Sequence, residues 1–126
     1  MPRIKEHYSY AQNFTMGVAG TTTVQNILIG ADADFVVERI SITSPNFVTH
    51  TIFLKDTSSS REWTSIPVFL NNFAGNYGVN NSPKILFKPK RIYANNSLTI
   101  TLVSAGADTV QIVFEGYREL LGSQQA

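Results

Sequence analysis

Over residues 97–117 apolar and polar side chains change places at almost every step. Leu98, Ile100 and Leu102 alternate with Thr99 and Thr101, and Val110, Ile112 and Phe114 alternate with Gln111 and Glu115. A period of two is that of a β-strand with one buried face. Residues 104–108 between the two runs include Gly106, which predicts that the strands close on each other as an antiparallel hairpin. Burying those apolar side chains contributes roughly 1.5 to 3 kcal/mol each before entropy is counted. A lone hairpin is still marginal in water, so other strands must supply the surface on which this face packs.

Those strands are visible upstream. Residues 21–29 are rich in β-branched side chains and end at Gly30, which predicts a strand followed by a turn over 30–34. In residues 35–43 the alternation changes phase: Phe35 and Val37 share one parity, Ile40 and Ile42 the other. One inserted residue at Glu38-Arg39, a β-bulge, would return all four to the same side. Pro45 ends that run, since proline cannot donate to a ladder. Residues 48–55 form the next strand, with His50 in step with Val48, Ile52 and Leu54. A polar turn over 56–60 leads into a short strand over 61–66 that contains the single tryptophan, Trp63, and is closed by Pro67. An apolar start at 68–70 dissolves into the Asn- and Gly-rich segment 71–82, longer than most connections within a domain and so a candidate binding loop carrying Phe73 and Tyr77. Residues 84–91 alternate again, with Lys84, Lys88, Lys90 and Arg91 forming a positive stripe suited to an exposed edge strand.

About eight short strands separated by turn signals, with no helical period, predict an all-β antiparallel β-sandwich. Eight strands fit a jelly-roll-like sandwich and seven an immunoglobulin-like one; spacing leaves both open. The expected layout is an N-terminal arm or edge strand over 1–20, the sandwich over 21–118 and a C-terminal tail over 119–126. Within 1–20, Tyr8, Tyr10 and Phe14 stand among polar neighbours, as an edge strand or as an arm that lays its aromatics on a neighbour.

Composition narrows the chemistry. The 126 residues include no cysteine, which excludes disulfides and thiolate chemistry. The net charge is +1 and the charged fraction 15%, below the usual value of about 25%, so long-range steering and nucleic-acid binding are not expected. Neither a secretory h-region nor an apolar run of membrane-spanning length is present, so synthesis in a cytoplasm without secretion is expected. Asp32 and Asp34 lack the downstream glycine and glutamate of a calcium loop, their places being held by Val37 and Thr43. His50 has only His7 as a companion, and reads as a satisfied core or interface side chain. Motifs for nucleotide binding, zinc hydrolysis or nucleophilic catalysis are absent. The expectation is a protein that is not an enzyme, with no catalytic residue, metal or cofactor.

Residues 89–103 (Pro-Lys-Arg-Ile-Tyr-Ala-Asn-Asn-Ser-Leu-Thr-Ile-Thr-Leu-Val) and 109–118 (Thr-Val-Gln-Ile-Val-Phe-Glu-Gly-Tyr-Arg) resemble the end of small virion proteins of tailed bacteriophages. In those, an apolar strand, an Asn/Ser turn and a last strand closing on Gly-Tyr or Gly-Phe plus a basic residue recur. Residues 35–43 are similar to their early strands. The resemblance implies a capsid decoration or cement protein of the virion, with a jelly-roll-like sandwich. It also implies dimers or trimers that bind the major capsid protein lattice, and it brings no catalytic residue. Aromatic side chains dominate interface energetics, which makes Tyr8, Tyr10, Phe14, Trp63, Phe73 and Tyr77 the candidate contacts. Two alternatives stand beside this. One is a carbohydrate- or receptor-binding module using Trp63 and Tyr77 beside Asn71, Asn72 and Asn76; the other is a tail or collar component of the same virion.

Overall fold

A computed structural model describes residues 4–43, 50–57, 59–69 and 84–120, for 84–87 the backbone alone. Among them are nine strands and no helix: β1 (Lys5–Met16), β2 (Thr22–Leu28), β3 (Ala33–Thr43), β4 (Thr51–Asp56), β5 (Arg61–Glu62), β6 (Val68–Phe69), β7 (Lys84–Ile92), β8 (Ser97–Val103) and β9 (Asp108–Leu120). They form two antiparallel sheets, one in the order β1-β9-β3-β7 and the other β2-β8-β4-β5, with β6 also pairing β4. The pairings are nested. The first strand pairs with the last, β2 with β8, β3 with β7, and β4 with β5 and β6. The chain is thus one long hairpin rolled up until β9 also meets β3 and β8 also meets β4. This is the jelly-roll arrangement, not the immunoglobulin-like one.

The expected hairpin of residues 97–117 does not form. β8 and β9 lie in opposite sheets and face each other across the core, and residues 104–107 cross between the sheets. Their alternation is the one expected, with Leu98, Ile100, Leu102, Val110, Ile112 and Phe114 all buried. Both patterns ask only for an apolar surface opposite, and a facing sheet supplies it as well as a neighbouring strand does. The strand expected at 61–66 is also shorter, stopping at Glu62. Thr64 Oγ1 donates to the carbonyl of Ile66 at 2.7 Å, a local turn that competes with the ladder just before Pro67.

The phase change in β3 is a bulge. Register against both β7 and β9 shifts between Val37 and Arg39, and Phe35, Val37, Ile40 and Ile42 all enter the one core. Opposite the bulge, in β9, stands Gly116. A Cβ there would strike the carbonyl of Val36, so only glycine lets the two backbones approach.

β1 belongs to the body of the protein. Each residue from Lys5 to Met16 has a partner in β9, and Phe14 and Met16 are buried. Residues 5–16 therefore form an edge strand rather than an arm. At the other terminus, Glu119 and Leu120 extend β9 opposite Lys5 and Ala33, so the tail begins no earlier than residue 121; residues 121–126 lie outside the described ones.

Candidate functional site

Of the six aromatic candidates, three share the inner face of β1. Phe14 is fully buried and is a core side chain, closed to any partner. Tyr10 packs against the core, its ring edge-on to Phe35 with centroids 4.7 Å apart. Tyr8 continues the stack, 4.9 Å from Tyr10, and carries the Arg118 guanidinium 4.5 Å from its ring centre. Arg118 in turn pairs with Glu6, whose hydrogen bond is the main cause raising its pKa, burial opposing. The inner face thus passes from apolar to ionic toward the end where the two described termini meet. Phe73 and Tyr77, with Asn71, Asn72 and Asn76, lie outside the described residues.

Burial raises the Tyr10 phenol above its ordinary value, while a hydrogen bond with the Gly30 backbone works the other way. The folded protein then holds this proton more tightly than the unfolded chain. The resulting stabilisation is complete below the ordinary phenol value of about 10 and is lost as pH rises through the higher folded value. Tyr10→Phe is expected to remove that part of the alkaline loss. Urea midpoints of both proteins at about pH 9 and about pH 11.5 check it, and equal losses in the two would refute it.

Trp63 sits where the sandwich opens between the edges β5 and β7. Its ring is half-buried against the core, edge-on to Phe114 at 6.4 Å, with Lys90 Nζ 5.7 Å from its centre. Because β5 stops after two residues, this edge is left as a groove of about 600 Å³ lined by Asp56, Arg61, Trp63, Lys90, Arg91 and Tyr93, among others. Tyr93 is 59% exposed and lies in a short turn closed by Asn95, which has a φ of 68°. Arg91 forms the groove's rigid part: its Nη1 donates to Asp34 at 3.0 Å and to Glu119 at 3.1 Å. Burial works against the Arg91 charge, but these two carboxylates more than offset it and its pKa is raised. Two aromatic rings beside mixed donors and acceptors suit a ligand with one flat face and polar rims. Sequence reading found Trp63 but missed Tyr93, whose isolated place before Ala-Asn-Asn carries no periodic signal.

The two outer faces of the sandwich differ in kind. On the β1-β9-β3-β7 sheet three pairs of outer side chains engage each other. Arg39 lies 3.6 Å from Glu115, Lys5 covers the Tyr117 ring at 5.0 Å, and Gln111 donates to Asn13 at 2.9 Å. The outer face of the second sheet is nearly neutral. Register sets Thr22, Val103, Thr51 and Phe69 in one row, and Val24, Thr101 and Phe53 in the next. Its charges, Lys55 and Glu62, stand opposite one another in the third row, and Val24, Leu28 and Phe69 are 53%, 70% and 50% exposed.

His50 is buried with both ring nitrogens used. The Ala105 amide donates to Nδ1 at 3.0 Å, so Nε2 carries the proton and donates to Asp108 Oδ2, also at 3.0 Å. The ring ties the start of β4 to the crossing between β8 and β9, a structural duty. Among the described residues, no three His, Asp or Glu side chains gather in a way that would hold a metal, and no helix is long and apolar enough to cross a membrane.

These features define an all-β domain of two antiparallel sheets with a neutral outer face and an aromatic groove at one open edge. No protein-family model matches the chain, and no curated protein sequence matches it.

Proposed function

We propose that this protein is a non-enzymatic structural protein of a bacteriophage virion, a capsid decoration or cement protein that binds the lattice of the major capsid protein. The observation that supports this reading is the contrast between the two outer faces: one carries the Arg39–Glu115 pair and Lys5 over the Tyr117 ring, the other presents threonines with exposed Val24, Leu28 and Phe69. A neutral face of this kind can dock on another protein without stranding buried charges. On a lattice many such contacts act together, so each one can be weak and the assembly still hold. The location is then the virion, reached after synthesis in the host cytoplasm.

Added to purified shells that lack it, the protein is expected to bind to saturation at a fixed ratio to the capsid protein and to raise the temperature at which the shells break. Lack of binding at about micromolar protein would defeat the proposal. The groove that joins Trp63 to Tyr93 favours a second reading, a carbohydrate- or receptor-binding module. In the same titration series, quenching of the single tryptophan by surface glycans, with no shell binding, would select it. Labelled particles in micrographs distinguish a capsid site from a tail or collar site.

A further inference from the structure

Among the described residues four strand edges border this sandwich, and three carry the features by which proteins keep edges from pairing with other chains. β1 holds Lys5, Glu6 and His7 along its first turn of pleat, and β7 holds Lys84, Lys88, Pro89, Lys90 and Arg91. The third edge, the side of β4 away from β8, is covered by β5 and β6, each of only two residues. Among the described residues, β2 has none of this protection. Its seven residues, Thr-Thr-Val-Gln-Asn-Ile-Leu, contain no charge, proline or glycine, and its register with β8 runs without a shift. Its outward Val24 and Leu28 are 53% and 70% exposed. An uncharged, unbroken edge of β-branched and amide side chains is a template for another strand.

We infer that β2 is a self-association edge, and that its occupant is the β2 strand of a second copy of this chain, paired antiparallel across a two-fold axis at Gln25. The strand's own sequence argues for a copy of itself. Centred on Gln25, the pairing sets Thr22 against Leu28, Thr23 against Ile27 and Val24 against Asn26, each residue opposite one on the same face of the sheet. The residue on the axis meets its own copy, and a glutamine amide has both the donors and the acceptor such a meeting needs. A lysine or glutamate there would repel its twin. No like charges are brought together in this register, whereas self-pairing of β7 would crowd its four cations. The two second sheets then run on as one, joining their neutral outer faces into a single surface twice as wide.

The inference is independent of the virion reading, because it is tested on the purified chain alone. Sedimentation velocity over a concentration series up to about 100 µM is expected to show a monomer–dimer equilibrium. Hydrogen exchange is expected to slow in residues 22–28 as the dimer forms. Val24→Lys sets two cations diagonally across the axis, and is expected to weaken dimerisation at least about tenfold with the melting temperature of the dilute monomer unchanged. Leu28→Lys, at a more exposed position, repeats the test should the first variant fold poorly. A wild-type chain that stays monomeric over the series overturns the inference. So do lysine variants that dimerise as tightly as the wild type, and a dimer whose 22–28 amides exchange as freely as the monomer's. Failure to bind shells would leave this result untouched and would bear on the virion reading alone.

Discussion

Gly116→Ala is expected to destabilise the protein by about 3 kcal/mol, the upper end of what forcing atoms into a packed interior usually costs, and to lower its melting temperature by about 10 °C or more. The added carbon would collide with the Val36 carbonyl oxygen, standing also 2.9 Å from the carbonyl carbon and 3.1 Å from the Glu38 nitrogen. All three are backbone atoms, so no side chain can swing aside. Relief has to come from the β3 bulge itself, and that bulge keeps Phe35 and Val37 on the same side as Ile40 and Ile42. Removing it would turn one pair or the other to the outside, since a shift of one residue reverses the pleat. Gly30→Ala is the control: its Cβ would meet only the Asp32 side chain, at 3.1 Å, and a small effect is expected. Urea unfolding of the three proteins gives the comparison, and a loss of less than about 1 kcal/mol for Gly116→Ala would show that the bulge can shift without cost.

His50→Leu is expected to cost about 3 kcal/mol, because it takes a hydrogen-bond partner from a buried carboxylate and from a part-buried amide at once. The Ala105 amide loses its acceptor, and the Asp108 side chain, like that of His50 itself, has no exposed surface from which to recruit water. Asp108 also accepts from its neighbour's amide, Thr109, at 2.8 Å, so its position is set from both sides. In a double-mutant cycle, His50→Leu with Asp108→Leu is expected to lose less than the two single changes added together. Additive losses would mean that the 3.0 Å contact between them contributes nothing of its own.

The buried faces were largely legible beforehand. The alternation in 97–103 and 109–115, the phase change at Glu38 and the edge character of 84–91 are all local, written in which neighbours are apolar, and the structure follows them. The candidate contacts were less so. Tyr8, Tyr10 and Phe14 share one parity, and from the sequence an aromatic stripe on an edge strand serves equally to cover its own core or to grip another protein. Tyr93 and Val24 were missed because each is a single exposed side chain, and exposure has no signature in a strand whose other face is already satisfied.

By itself the sequence determined that this chain is made of strands, where most of them turn, and which side chains of each face inward, because pleat and period are properties of a few adjacent residues. Only the tertiary structure decided who lies beside whom. It put β8 and β9 in opposite sheets, brought Asp108 to His50 across 58 positions and left β2 at the border of its sheet among the described strands. The physical reason is that an apolar face specifies what it must avoid, which is water, and accepts any apolar surface in its place. The choice among those surfaces is made by the packing of the whole chain.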